Sequence, residues 1–131
     1  MIIDTNIFLE VLLNQEKCEG CSTFLRGILE GGREGFITTF SIDSIVISML
    51  NNKAGNEKVN VFLSSLVKYK GLRFYQVKIS DRIKALKLMK IYNLDYEDAL
   101  ILQSAISTGS EEIVSFDKHF DKIKEVKRIE P

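Results

Sequence analysis

Three short acidic stretches, spread over the whole chain, carry the residues able to do chemistry. Ile2-Ile3-Asp4-Thr5-Asn6 opens the sequence, Asp95-Tyr96-Glu97-Asp98-Ala99-Leu100 comes late, and Ile113-Val114-Ser115-Phe116-Asp117 lies near the end. In the first and third, an aspartate stands where an apolar run stops. In the second, Glu97 and Asp98 fall in the first turn of an expected helix. In a parallel α/β sheet such places meet at one edge, outside the carboxyl ends of the strands. Carboxylates gathered there repel one another until a cation or protons neutralise them. The pattern points to a hard divalent metal held by Asp4, Asp98 and Asp117, and through it to phosphate chemistry.

Each stretch also has a plain structural explanation, so the case rests on their convergence. Asp4 can merely cap the next helix, and Asp95 suits an N-cap. Acids in a first turn complement the helix macrodipole. Asp117 with Lys118, His119 and Asp121 is ordinary turn composition. Yet Asp98 borders the apolar run Ala99-Leu100-Ile101, which turns it toward the sheet edge, while Glu97 points elsewhere. Thr5 and Asn6 beside Asp4, and Ser115 beside Asp117, have the reach to orient a carboxylate.

Alternating strands and helices must position these residues. Strands are expected at 1–4, 36–39, 72–77 and 113–116, with a last edge strand at 125–129. Between them fall pairs of helices: 6–13 with 16–30, then one capped by Ser41 with one running through Val59, Phe62, Leu63, Leu66 and Val67. The third pair opens at Ser80-Asp81, uses Ile83, Leu86, Leu88 and Met89, and continues with a helix capped by Asp95 and closed by Gly109. The order β-αα-β-αα-β-αα-β-β predicts a three-layer α/β/α sandwich around a short-stranded, mainly parallel sheet with right-handed crossovers.

The bulk numbers narrow the classes. A chain of 131 residues suits one domain, 1–131, able to bury a core without disulfides. With 45% hydrophobic and 27% charged residues it is neither disordered nor collagen-like. No apolar run approaches the roughly 18 residues of a membrane span. Met1 leads into Ile2-Ile3-Asp4 without a basic n-region, so a cytoplasmic location is the expectation. Net charge is zero, from 18 basic and 18 acidic residues, and gives no global pull on nucleic acid. Neutralising the three aspartates with a metal would leave the remaining surface basic. Lys84, Lys87 and Lys90, and the C-terminal group Lys118, Lys122, Lys124, Lys127 and Arg128, are either solvated faces or phosphate contacts. Cys18-Glu19-Gly20-Cys21 lacks the further ligands of a zinc site and reads as packing thiols.

The chain resembles the PIN-domain ribonucleases, the family that includes the VapC-type toxins of toxin–antitoxin pairs. Ile3-Asp4-Thr5-Asn6 resembles the family's opening strand and first acid. Asp98-Ala99-Leu100 resembles its helix-start acid, and Ser115-Phe116-Asp117-Lys118-His119-Phe120 its closing Ser/Thr-x-Asp-x-x-Phe motif. The likeness covers essentially the full length. It implies an α/β/α sandwich, Mg²⁺ or Mn²⁺, and hydrolysis of RNA phosphodiester bonds. Asp4, Asp98 and Asp117 would be the ligands, Asp43 an auxiliary ligand or base, and Thr5, Asn6, Ser115 and Glu97 the supporting residues. An antitoxin protein is the implied partner, and the apolar helices Phe24 to Leu29 and Val59 to Val67 are either core or the face of an expected homodimer.

One departure stands out. The family usually carries a glutamate in the helix after the second strand, and Thr39 to Val46 contains none. Asp43 is the only acid there, with Glu97, Asp95 and Asp121 as other sources of the missing charge. The absence gives weight to a second class, a catalytically degenerate PIN-like module that binds RNA or protein. A phosphoacceptor domain fits poorly. The haloacid-dehalogenase type expects an acid where Asn6 stands, and the receiver type expects paired acids early in the fold.

Overall fold

The computed structural model describes residues 1–131. The elements are β1 (Ile2–Ile3), α1 (Thr5–Leu12), α2 (Cys18–Glu30), β2 (Gly35–Thr38), α3 (Thr39–Asn51), α4 (Asn56–Leu66), β3 (Leu72–Tyr75), α5 (Ile79–Tyr92), α6 (Tyr96–Thr108), β4 (Glu112–Val114), a 3₁₀ turn (Lys118–Lys122) and β5 (Lys127–Ile129). The five strands form one sheet in the order β3-β2-β1-β4-β5. Every pairing is parallel, with Ile2 opposite Phe36 and Ile113, and Ile3 opposite Val114.

Alternation along the strands divides the core in two. Ile3, Ile37 and Val114 pack with the apolar faces of α1 to α4 (Phe8, Phe24, Ile28, Ile45, Phe62). Ile2 and Ile113 pack on the opposite face with Ala85 of α5 and Ala99, Leu102 and Ala105 of α6. The result is the expected α/β/α sandwich, with a sheet that is wholly rather than mainly parallel. The chain runs outward from β1 through β2 to β3 and returns past β1 to β4. Strand order therefore reverses beside β1, which opens a crevice at the carboxyl ends of β1 and β4.

Several boundaries differ from the sequence expectation, for local reasons. Helix α3 is capped by Thr38, not Ser41: the Ser41 N–H donates to Thr38 Oγ1 at 2.9 Å. Helix α5 starts ahead of Asp81, whose Oδ2 accepts the Lys78 N–H at 2.8 Å and closes the first turn. Leu63, Val67, Ile83 and Leu86, expected inside, are exposed. Helix α4 packs through Val59, Phe62 and Leu66, and α5 through buried Ala85 with half-buried Leu88, Met89 and Tyr92, because its apolar residues alternate with Lys84, Lys87 and Lys90 and form no single stripe. Gly71 permits the one very close backbone approach: a Cβ there would lie 1.9 Å from the Arg33 carbonyl oxygen. Cys18 and Cys21 are free thiols. Cys21 is buried, and burial pushes its thiol up to about 11. No helix is long and apolar enough to cross a membrane.

Candidate metal centre

Asp4 leaves β1 at the crevice. It occupies the N-cap position of α1, yet its side chain makes no capping bond to that helix. Its carboxylate turns inward instead and is 4% exposed. Thr5 Oγ1 donates to Oδ1 at 2.9 Å, while Asn6 Nδ2 donates to Oδ2 at 2.8 Å and Ser115 Oγ donates to the same oxygen. The Asp4 N–H bonds the Val114 carbonyl at 3.0 Å, which ties the residue to β4. Burial raises the Asp4 carboxyl above its ordinary range. The Ser115 and Thr5 hydrogen bonds offset part of that rise, and the charge of Glu97 adds to it.

Asp98 comes from the first turn of α6. Asp95 does the capping, accepting the Asp98 N–H on Oδ1 at 2.8 Å. The Asp98 carboxylate is thus left free to face the crevice, and it is buried there. Its carboxyl is pushed up to about 7, first by burial and then by the negative charges of Asp95, Asp117 and Asp4.

Asp117 follows β4. Its N–H donates to Ser115 Oγ at 2.9 Å, and its Oδ1 accepts the His119 N–H at 2.8 Å, capping the 3₁₀ turn. Ser115 therefore links the first and third acids directly. The same turn delivers His119, whose Nδ1 lies 3.0 Å from Asp117 Oδ1 and 3.7 Å from Asp98 Oδ2. Asp98, Asp117 and His119 each place a donor atom within 4.8 Å of the other two.

Glu97 is where the structure departs most from the sequence reading. It was expected to point away from Asp98's surroundings. Its Oε1 instead accepts from Thr5 Oγ1 at 2.9 Å and from Ser44 Oγ at 3.0 Å. Ser44, not Asp43, is the α3 residue that reaches the crevice. Asp43 is exposed and forms no hydrogen bond or ion pair with these residues. Asp121 is taken up by Arg128 at 2.6 Å, and Asp95 by its capping bond. His119 was read as turn composition. The clue was its place between Asp117 and Phe120, which is fully buried and anchors the turn.

The donor set fits a hard divalent cation. Asp4, Glu97, Asp98 and Asp117 stand at the same crevice with no Lys or Arg paired to any of them, but the close donor group consists of Asp98, Asp117 and His119, with Asp4 and Glu97 outside it; the Arg ion pairs of the molecule lie at Glu34, Asp121 and Glu130. Thr5 has one hydroxyl proton and stands 2.9 Å from oxygens of both Asp4 and Glu97, so one of those contacts lacks a proton. Asn6 Oδ1 is buried without a partner, a further unused oxygen donor. Uncompensated carboxylates with spare acceptor capacity are what a divalent ion and its waters satisfy.

The model of the PIN domain family matches residues 1–126. No curated protein matches the sequence. Among solved structures, Mycobacterium tuberculosis VapC20, described as a sarcin-ricin loop cleaving toxin, aligns with TM-score 0.73 and 14% identity over 96% of this chain and 98% of that one. A toxin-antitoxin complex from Klebsiella pneumoniae gives a TM-score of 0.70 at 16% identity, over 96% of this chain and 94% of that one. VapBC2 from Rickettsia felis, bound to a DNA fragment from its promoter, gives 0.70 at 14% identity, over 98% and 96%. At such identities these likenesses show the fold, whereas the family match spans nearly the whole sequence. The chain belongs to the PIN domain family.

Proposed function

We propose that residues 1–131 act as one PIN-like domain, a Mg²⁺- or Mn²⁺-dependent endoribonuclease and the toxin of a toxin–antitoxin pair. The observation that carries this is the gathering of Asp4, Glu97, Asp98 and Asp117 at one crevice with no Lys or Arg paired to them and only His119 beside them. Asp4, Asp98 and Asp117 would hold one or two ions. A cation bound there supplies positive charge that eases deprotonation of an attacking water and offsets charge at the scissile phosphate.

The chain's own residues do the rest. Ser115, Asn6 and Thr5 hold both oxygens of Asp4 in one orientation. Glu97, steadied by Ser44 and Thr5, takes the place of the glutamate that α3 lacks, as an outer base or as a partner to coordinated water. Asp43, exposed on α3, has at most an outer part. The acids line none of the molecule's larger hollows, such as the apolar groove of about 520 Å³ around Val11, Met49 and Phe62. The toxin role and an antitoxin partner draw support from the description of one structural relative as a toxin and of another as a toxin-antitoxin complex; a homodimer belongs to the proposal without support from those descriptions.

The test is cleavage of structured RNA by the purified chain. Activity should appear with Mn²⁺ or Mg²⁺ and vanish with a chelator. Glu97→Gln should slow cleavage roughly 10- to 100-fold, and Ser44→Ala less, if Glu97 supports the metal waters. Equal rates for wild type and Glu97→Gln would remove Glu97 from the machinery. The degenerate-module reading is favoured by the lack of a glutamate on α3, and RNA binding without any response to metal would establish it.

A further inference from the structure

His119 is the only histidine of the chain, and the fold sets it against the acids. Phe120, the next residue, is fully buried, and the His119 N–H is tied to Asp117 Oδ1. These two anchors hold the backbone of His119 beside the crevice. The imidazole itself is 67% exposed and can rotate. Its Nδ1 already lies 3.0 Å from Asp117 Oδ1 and 3.7 Å from Asp98 Oδ2. Around an ion with bonds of about 2.1 Å, opposite donors lie about 4.2 Å apart. The donor atoms of Asp98, Asp117 and His119 span no more than 4.8 Å. Both His119 separations are already shorter than that span.

The geometry points to His119 as a nitrogen ligand, alongside Asp98 and Asp117, that makes this centre favour a transition-metal ion over Mg²⁺. The inference rests on the carboxylate centre proposed above and specifies its metal. Mg²⁺ prefers oxygen donors and gives up its waters reluctantly, whereas imidazole nitrogen suits first-row transition ions, whose affinities rise from Mn²⁺ through Co²⁺. The competing role for His119 is a simple counterion to the two acids. A counterion competes with every added cation, so its removal would tighten Co²⁺ and Mg²⁺ together. Removal of a ligand weakens the transition ion selectively.

Co²⁺ and Mg²⁺ are titrated calorimetrically into wild type, His119→Gln and Asp98→Asn, and Mn²⁺-loaded protein is examined by pulsed electron paramagnetic resonance for nitrogen coupling. The expected result is tighter Co²⁺ than Mg²⁺ binding in wild type. His119→Gln should lose at least about tenfold in Co²⁺ affinity while Mg²⁺ affinity shifts far less. Nitrogen coupling should be present in wild type and absent in His119→Gln. Unchanged Co²⁺ affinity in His119→Gln, or tightening of both metals without nitrogen coupling, overturns the assignment. If Asp98→Asn still loses both metals in that case, the carboxylate centre stands without His119. Wild type that binds neither metal overturns both readings at once.

Discussion

Asp4→Asn should leave the protein folded and remove the metal-dependent RNA cleavage proposed above. The hydrogen bonds around Asp4 make the first half of that result specific. With the new amide nitrogen in the place of Oδ1, it donates to Thr5 Oγ1, and Thr5 gives its single proton to Glu97 Oε1. The remaining oxygen keeps its bonds from Asn6 and Ser115. The substitution thus completes the local network and removes a buried charge, so the melting temperature should move by no more than about 4 °C. The second half follows from the loss of a hard anionic ligand at the centre. Losing several kcal/mol of charge stabilisation corresponds to roughly a thousandfold or greater fall in rate. Metal-dependent cleavage at the wild-type rate in the purified variant would remove Asp4 from the site. A collapse in stability would show that its surroundings do not adapt as argued.

Metal-free protein should grow less stable between pH 5 and pH 8, and Asp98→Asn should flatten that slope. The Asp98 carboxyl sits at about 7 in the folded chain and in the ordinary carboxylate range when unfolded. Between about pH 4 and pH 7 the folded state keeps a proton that the unfolded state has released. Stability from this group is complete at low pH and is lost as pH rises through that window. Asp4, also raised, acts in the same direction. Asp81, Asp121, Glu125 and Glu130 are held below their usual range, and what they contribute is already in place at pH 5.

The loss should be on the order of 1–2 kcal/mol once solvent screening at an open crevice is allowed for. Mn²⁺ at a hundred times its dissociation constant would restore about 2.7 kcal/mol at high pH. Urea midpoints at several pH values, with chelator and with metal, read all of this. A wild-type stability that climbs through the window, or a variant with the same slope, would contradict the electrostatics described here.

Much of this site was legible because its determinants are local. Asp95 as the cap of α6 and Gly109 as its stop are read from adjacent residues, and so is an aspartate at the end of an apolar strand. The parallel order of elements then brings Asp4, Asp98 and Asp117 to one edge. What stayed hidden depends on tertiary geometry. On α3, one residue turns the side chain by about 100°, so the choice between Asp43 and Ser44 needs the packed helix. Glu97 is drawn in by hydroxyls on α1 and α3, which no periodicity on α6 reveals. The place of His119 beside the acids is set by a short turn whose only sequence marker is Phe120. The exposed face of α5 was misjudged because Ile83 and Leu86 look like core until Ala85 is seen to make the contact with α6.

The most direct test of the carboxylate centre is a calorimetric titration of Mn²⁺ and Mg²⁺ into wild type and Asp98→Asn at about pH 8, where Asp98 is ionised in the folded chain. Saturable binding in wild type that disappears in the variant is the predicted result. No binding to wild type at about millimolar metal, or equal binding to both proteins, would contradict it.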